Sequence, residues 1–506
     1  MVTLDPANAH QLNANYDIRL AHTFRLSRYA ERICYARSEL VDELRQHENT
    51  AISRIEMVAA IDSLERNFAA DASAPPALAL GLRLLRQRVM LRIIHRDLNE
   101  LADLDEVVTA ISALADVTLG AALKFHRAVI ADKFKLSADL AKSEDASMVI
   151  VGMGKLGAHE LNVSSDIDLI FIHAEDGEAT PDRSWHEFHA ELGKRVIRTI
   201  DEVTADGFVF RVDMRLRPYG ASGALVTSLA ALDAYFRTQA RPWERYAWLK
   251  GRAITGATNT IARLNELVTQ FVYRRYHDYA AIEEMRDIHG QIRQEATKRN
   301  RLNDIKVGHG GIREVEFIVQ MIQLIRGGRE PRLQIASTRE ALSVIEQLGL
   351  MEAARIAKIS NAYIFLRNLE HRLQYVDDAQ TQALPTSEAE QLRIAQAMNF
   401  PNWHTFLGVL KPHRDIVTTE FDAVFARTTD SISIIEPSEE SGLEASIHAV
   451  FDDMPIAGAI QKSISERINT WRKSSRTQSL SPKLRSRLET LLPLALKASL
   501  PATPAA

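Results

Sequence analysis

Apolar residues recur at spacings of three and four from about Tyr16 to Phe134, the period of helices that each bury one stripe, so the first part of the chain is expected to be a packed set of helices. Within it, LRLLRQRVMLRIIHRDL turns Leu82, Leu85, Val89, Ile93 and Ile94 toward a core. Arg83, Arg86, Arg88, Arg92 and Arg96 fall elsewhere; we read them as a solvated helix face, with an anion- or partner-binding surface as the other reading. The period then breaks. MVIVG, after the polar stretch SADLAKSEDAS, is a short apolar run closed by glycine and reads as a buried strand. SSDIDLIFIH is a second strand and, beyond a helical segment around Trp185 to Glu202, FVFRVDMRLRP is a third. Helical periodicity returns over 258–427, interrupted by KVGHGGIREVEF and Pro331. DSISIIEPSEESG, SSRTQSLSPKLRSR and LPATPAA have the composition of loose linkers.

The pattern predicts an α+β, predominantly helical chain: a helical region over 1–138, a small mixed-sheet domain over 139–256, a second helical domain over 257–428, and a linker with a helical or loose segment over 429–506. The length of 506 residues agrees, since domains of about 100–200 residues give roughly three to four. A hydrophobic fraction of 46% and a charged fraction of 25% are those of a globular protein. Lys and Arg total 62 against 66 Asp and Glu, so there is no basic excess for a polynucleotide backbone, and no nucleic-acid partner is expected. Cys34 is the only cysteine, which rules out an intrachain disulfide and a cysteine-built metal site and suits a reducing cytoplasm. The segment MVTLDPANAHQLNANYD has no basic-then-apolar leader pattern, and no run of about 18 apolar residues occurs, so a cytoplasmic chain without a membrane span is expected.

Chemistry concentrates in the middle domain. Period two along SSDIDLIF puts Asp166 and Asp168 on one strand face and Ile167 and Leu169 on the other. Two adjacent carboxylates repel unless a cation lies between them, and Mg²⁺ favours one or two carboxylates plus substrate phosphates. Solvated acids on an edge strand are the bland alternative. VIVGMGKLG sets Gly152, Gly154 and Gly157 directly after a strand, where backbone N–H groups can approach a phosphate and Lys155 adds charge. The acids follow too early for a dinucleotide-binding βαβ unit, and no G-x-x-x-x-G-K-[ST] occurs. In VDMRLRP, Asp213, Arg215 and Arg217 share a face opposite Val212, Met214 and Leu216. If that strand lies beside the D-x-D strand, Asp213 completes a three-carboxylate Mg²⁺ site; the two arginines then hold phosphate, or simply pair with the acids. Ser164 and Ser165 either orient these carboxylates or cap the preceding turn.

A glycine-rich turn, D-x-D about eleven residues later and a third Asp on another strand resemble the nucleotidyltransferase pattern of the DNA polymerase β superfamily. VGMGKLGAHELNVSSDIDLIF, RVDMRLRPYGASGALVTSLAALDAYFRTQARPWERYAWLKGR and IKVGHGGIREVEFIVQMIQLIRGGREP narrow this: they resemble the glutamine synthetase adenylyltransferase/adenylyl-removing family, from about Leu82 to near Asp430. Family members commonly carry two nucleotidyltransferase modules, and this chain shows one, whether as a fragment, a natural split form or a dedicated remover. WERYA and GGIREVEF are similar to the removing half; the attaching half reads closer to WEHQA and GGITDIEF.

The resemblance implies Mg²⁺-dependent phosphorolysis, in which phosphate attacks adenylyl-tyrosine on glutamine synthetase and releases ADP. It implies metal ligands at Asp166, Asp168 and Asp213, phosphate or nucleotide contacts at Gly152, Gly154, Lys155, Ser165, Arg215 and Arg217, and control by the PII protein and glutamine. Adenylylation from ATP, a non-catalytic module that binds PII or glutamine synthetase, and a nucleotidyltransferase for RNA or a small molecule are the alternatives. In GGIREVEFIVQMIQLIR, Arg313, Glu316, Gln320 and Gln323 fall on one helix side; Arg313 and Glu316 are expected to line or brace the site, or to form an interdomain ion pair. His186 and His189, three apart with no further ligand in view, read as a surface feature. Tyr273, Tyr276 and Tyr279 read as packing or groove-capping residues.

Overall fold

The computed structural model describes residues 6–68, 74–273, 303–430 and 458–472, with isolated positions 290, 293, 474 and 492. Two compact units result, Met1–Asp422 and Ala423–Ala506. The linker stretches 431–442, 475–487 and 500–506, and Tyr276 and Tyr279, lie outside the described residues. In the second unit the described helix is Gly458–Arg472.

The first unit opens with seven helices: α1 (Pro6–Leu26), α2 (Arg28–Ala36), α3 (Glu39–His47), α4 (Arg54–Phe68), α5 (Ala74–Leu98), α6 (Leu104–Lys133) and α7 (Ala138–Lys142). Helix α6 begins where the Asp103 carboxylate accepts from the Glu106 N–H, a side-chain cap for an otherwise unpaired amide. It is long and apolar enough to cross a bilayer, but 78% of its most apolar window is buried inside the protein, so it is a core helix.

The arginines of α5 correct the solvated-face reading. Arg83, Arg86, Arg92 and Arg96 are buried, and each has partners: Arg86 bonds both oxygens of Asp378 at 2.8 and 2.9 Å, Arg92 pairs with Glu56 at 2.7 Å, and Arg96 takes Glu106 and the Glu48 carbonyl at 2.6 Å each. Their donors satisfy acids and carbonyls of neighbouring elements, which is what makes burial of the charge tolerable. Only Arg88 of the five is exposed.

Next comes the sheet: β1 (Met148–Gly152), the short turn of helix α8 (Gly154–Gly157), β2 (Ile167–His173), the small β3 (Glu178–Thr180) and β4 (Arg183–Ser184) hairpin, α9 (Trp185–Asp201), β5 (Val212–Asp213), β6 (Val226–Ser228), α10 (Leu229–Thr238), α11 (Pro242–Trp248), β7 (Arg252–Ala253) and α12 (Thr258–Val272). Strands β1 and β2 are antiparallel, with β7 on the far edge of β1, and β5 and β6 both run parallel to β2. Side-chain alternation splits the core in two. Met148, Ile150, Ile167, Leu169 and Phe171 face α5, α6 and α9, whereas Val149, Val151, Ile170 and Ile172 face α10, α11 and α12. Each such side chain, fully buried, contributes about 1.5–3 kcal/mol. Helix α9 starts at a capping box in which Ser184 and Glu187 satisfy each other's backbone N–H groups.

His189 is another correction. It lies buried on the inner face of α9, stacked 5.0 Å from His173, with Nε2–H donating to the Asp145 carbonyl at 2.7 Å. Burial, then neighbouring His173, holds its imidazole down to about 3, so the ring is neutral and structural.

The remaining described helices of this unit are α13 (Ile312–Arg326), α14 (Thr338–Gln347), α15 (Ala353–Tyr375), α16 (Glu388–Ala397) and, as far as Asp422, α17 (Trp403–Asp430). Helix α15 buries Arg367, Glu370, His371, Arg372 and Gln374, an inner face that is polar over two turns.

Candidate active site

The D-x-D strand is shorter than its pattern. β2 begins at Ile167, so Asp166 stands just before it and Asp168 is its second residue. Its start is stapled: the Ile167 N–H donates to the Arg211 carbonyl at 2.8 Å, and the Arg211 guanidinium donates to Ser164 Oγ at 2.8 Å. The parallel β2–β5 register then sets Ile167 beside Val212 and Asp168 beside Asp213. The third carboxylate thus lies next to the first two, as the sequence pattern requires of a shared site.

On the other side, the β1–α8 turn closes against the same strand. The Met153 N–H donates to the Asp168 carbonyl at 2.9 Å, and a methyl group at Gly154, whose φ is +55°, would stand 3.6 Å from Asp168 Oδ2. Gly157 is irreplaceable on space alone: its Cβ would fall 1.6 Å from the Lys250 carbonyl oxygen. Gly152 is buried against Leu156 and Ile254, at 2.9 Å from a hypothetical Cβ, so its role is packing.

A cavity of about 460 Å³ opens over Gly154, Lys155, Ser165, Asp166 and Asp168. Its other walls are Trp243 and Tyr246 from α11, Lys250 two residues beyond it, and Lys306, Arg313, Glu316 and Gln320 from α13 and the loop before it. Arg313 and Glu316 therefore line the site. Gln323 does not: its amide donates to the Leu333 and Ile335 carbonyls at 2.9 and 2.6 Å.

Asp213, Arg215 and Arg217 lie outside the cavity lining. Strand β5 ends at Asp213, so the alternation that would aim both arginines with the acids stops there. Arg215 returns to Asp213, donating from its backbone N–H at 2.8 Å and from Nε at 2.8 Å, and these bonds hold the carboxyl below the usual range. Arg217 donates to the carbonyls of Met214 and Ala221 at 2.7 and 3.0 Å, bracing the turn.

Lys155 is half-way between expectations. It lines the cavity, yet its ammonium pairs with buried Glu370 at 2.7 Å. Burial pulls Lys155 down to about 7, while Lys155 and Lys306 keep Glu370 ionised, well below the ordinary carboxylate range.

Several site residues were not singled out from sequence. Lys250 bridges Glu316 at 3.1 Å, Glu160 at 3.3 Å and Thr338 Oγ1 at 2.9 Å; burial opposes its charge, but Glu316 and Glu160 hold it well above the lysine range. The same lysine brings Glu316 down to about 2 against the effect of burial. Gln380, 214 positions beyond Asp166, donates to its Oδ1 at 2.9 Å. Lys250 stands in the WLKGR stretch and Lys306 in KVGHGG, but a lone lysine carries no spacing signal, and Gln380 has none either.

Among the described residues, no three acidic, imidazole or thiol groups are gathered at metal-binding spacing. The chemistry of the donors nevertheless fits a hard cation. Asp166 and Asp168 present only oxygens, and burial, then Asp166 and Asp213, pushes the Asp168 carboxyl up to about 6, an excess of negative charge that a divalent ion relieves.

Residues 18–267 match the family model for glutamate-ammonia ligase adenylyltransferase, and 280–425 match that for GlnD PII-uridylyltransferase. A bifunctional glutamine synthetase adenylyltransferase/adenylyl-removing enzyme of Chromobacterium violaceum is 46% identical over 430 residues, 85% of this chain and 46% of the relative. Its namesake in Ralstonia nicotianae is 39% identical over 505 residues, 94% of this chain and 53% of the relative. That of Neisseria meningitidis serogroup B is 40% identical over 434 residues, 83% and 47%. The chain spans about half the length of the curated relatives it matches. Since the first of these matches takes in all three carboxylates and the strands that carry them, the chain belongs to the glutamate-ammonia ligase adenylyltransferase family.

Proposed function

We propose that this chain removes AMP from adenylylated glutamine synthetase by phosphorolysis. The observation that carries the reading is the in-register pairing of Asp168 with Asp213, where Asp166 and Asp168 line a cavity large enough for nucleotide phosphates. The direction is supported by the WERYA and GGIREVEF stretches, whose Tyr246, Ala247, Arg313 and Glu316 all line that cavity. Phosphate oxygen bonds to the AMP phosphorus, the bond from that phosphorus to the tyrosyl oxygen breaks, and ADP and a free tyrosine leave. Mg²⁺ held by Asp166, Asp168 and Asp213 would supply charge neutralisation at the phosphorus and the departing phenolate.

The protein's own groups do the positioning. Lys250 fixes Glu316 and with it the first turns of α13, Gln380 orients Asp166, and Trp243 and Tyr246 wall the cavity with apolar surface. No strong general base is needed, because phosphate is already an anionic nucleophile. Glutamine synthetase is the proposed protein substrate, PII and glutamine the proposed regulators, and the cytoplasm the proposed setting; the match of 280–425 to a PII-uridylyltransferase model supports the link to PII.

The test is incubation of purified chain with adenylylated glutamine synthetase, Mg²⁺ and phosphate, following ADP. ADP release that requires phosphate and is lost in the Asp166→Asn, Asp168→Asn double variant is the expected result. AMP transfer from ATP onto unmodified glutamine synthetase, without ADP release in the first assay, would show that the chain runs the opposite reaction; neither activity would leave a binding module.

A further inference from the structure

Four cationic side chains line the cavity: Lys155, Lys250, Lys306 and Arg313. Two are already neutralised. Lys155 pairs with Glu370, Lys250 with Glu160 and Glu316, and Arg367 lies 3.6 Å from Glu370, so three buried cations and three buried carboxylates cancel behind the cavity wall. Lys306 and Arg313 are different. Neither side chain has an ion-pair or hydrogen-bond partner among the described residues, and they stand in the same cavity as Asp166 and Asp168.

Their placement is built rather than incidental. Asp304 Oδ1 accepts the N–H groups of Lys306 and Val307 at 2.8 and 3.0 Å, and Ile305 is fully buried. The loop then turns at Gly310, where φ is +68° and a Cβ would lie 2.2 Å from the Arg414 carbonyl oxygen. The Arg313 N–H donates to the Lys306 carbonyl at 3.1 Å, tying the backbones of the two cations together across the turn. An ammonium on the loop and a guanidinium in the first turn of α13, neither of them in an ion pair among the described residues, suit a phosphate bearing two negative charges.

We propose that Lys306 and Arg313 form the phosphate subsite of this cavity, taking the inorganic phosphate or the terminal phosphate of ADP, in place of the Arg215, Arg217 and Lys155 set that the sequence pattern suggests. The assignment rests on the nucleotidyl-transfer reading for the origin of the phosphate, but binding tests it separately. Attacking phosphate would be held on the helical wall while the adenylyl phosphorus lies over the carboxylates, which separates like charges across the cavity.

The experiment uses the full chain with Mg²⁺. Dissociation constants for ADP and for inorganic phosphate are measured by calorimetry on wild type, Lys306→Ala, Arg313→Ala and the double variant, beside KM for phosphate in the release assay. Loss of one charged hydrogen bond predicts weakening by about tenfold or more per single variant. The rise should appear in KM for phosphate with kcat changed much less, with Lys306→Arg and Arg313→Lys retaining part of the affinity and all variants melting with wild type. Should Arg313→Ala unfold, Arg313→Gln replaces it. Wild-type affinity and KM in the double variant, or no binding of either probe by wild type, overturns the subsite. If wild type binds ADP and the variants weaken it, yet no ADP is released from adenylylated glutamine synthetase, the subsite stands and the proposed reaction falls.

Discussion

Asp168 combines a buried carboxyl with two acidic neighbours, and its elevation to about 6 makes it a measurable cost in the metal-free protein. A carboxyl raised in the folded state favours folding only while protonated, so its stabilising contribution is present below about pH 4 and is lost as pH rises through 6. Asp168→Asn should therefore melt higher than wild type at pH 8 in chelator, by up to about 3 kcal/mol of stability, and should match it near pH 4. Thermal melts across that range check this, and added Mg²⁺ should raise the melting temperature of wild type but not of the variant. The Lys155–Glu370 pair behaves oppositely. Lys155→Met takes from buried Glu370 its nearest cation, leaving Arg367 at 3.6 Å, and should cost about 3 kcal/mol, whereas Lys155→Met combined with Glu370→Leu should recover most of that in urea titrations. The carboxylates were legible because a strand's period of two shows directly in DIDL and VDM. The partners of Lys155 and Lys250 were not, because a buried ion pair across 215 or 90 positions leaves no local periodicity.

At the level of elements, β1 and β2 follow from apolar runs and α9 from helical periodicity; β1 and α9 form where the pattern sets them, and β2 starts later, at Ile167. The two- and three-residue strands β6 and β7 carry too little alternation to announce themselves, and FVFRVDMRLRP, read as a strand, yields just Val212–Asp213 because the Arg217 bonds and left-handed Tyr219 and Gly220 turn the chain away. Helix α15 was readable as a helix but not as the polar spine of the site, since buried charge and solvated charge look alike in sequence. The tightest joint in this layer is Gly157 against the backbone of Lys250. Gly157→Ala must push α8 off β7, and we expect a loss of about 1–3 kcal/mol together with a fall in transfer rate larger than that of Gly120→Ala, whose added methyl meets nothing within 4 Å. Parallel denaturation and ADP-release assays on the two variants check the difference.

Across the whole first unit, the opening helices and α15 are riveted together. Ser27 Oγ donates to the Tyr375 carbonyl at 2.6 Å, Arg86 clasps Asp378, and Arg372 and Tyr375 both take Asp97. Two residues after Asp378 comes Gln380, with its hand on Asp166. Arg86→Leu should cost about 3–5 kcal/mol by stranding Asp378, and residual folded protein should release ADP more slowly because the segment that carries Gln380 is loosened; stopped assays normalised to the folded fraction measure this. The Arg86–Asp378 clasp joins positions 292 apart, which gives synthesis a timetable. At roughly 5–20 residues per second, helix α5 leaves the ribosome some 15–60 s before the acid that neutralises Arg86 exists. Until then the first hundred residues hold a guanidinium with no place in an apolar interior, so they wait as a loosely packed bundle. Protease digestion of ribosome-stalled chains should find them cleavable when stalled near residue 300 and protected once residues beyond 380 have emerged.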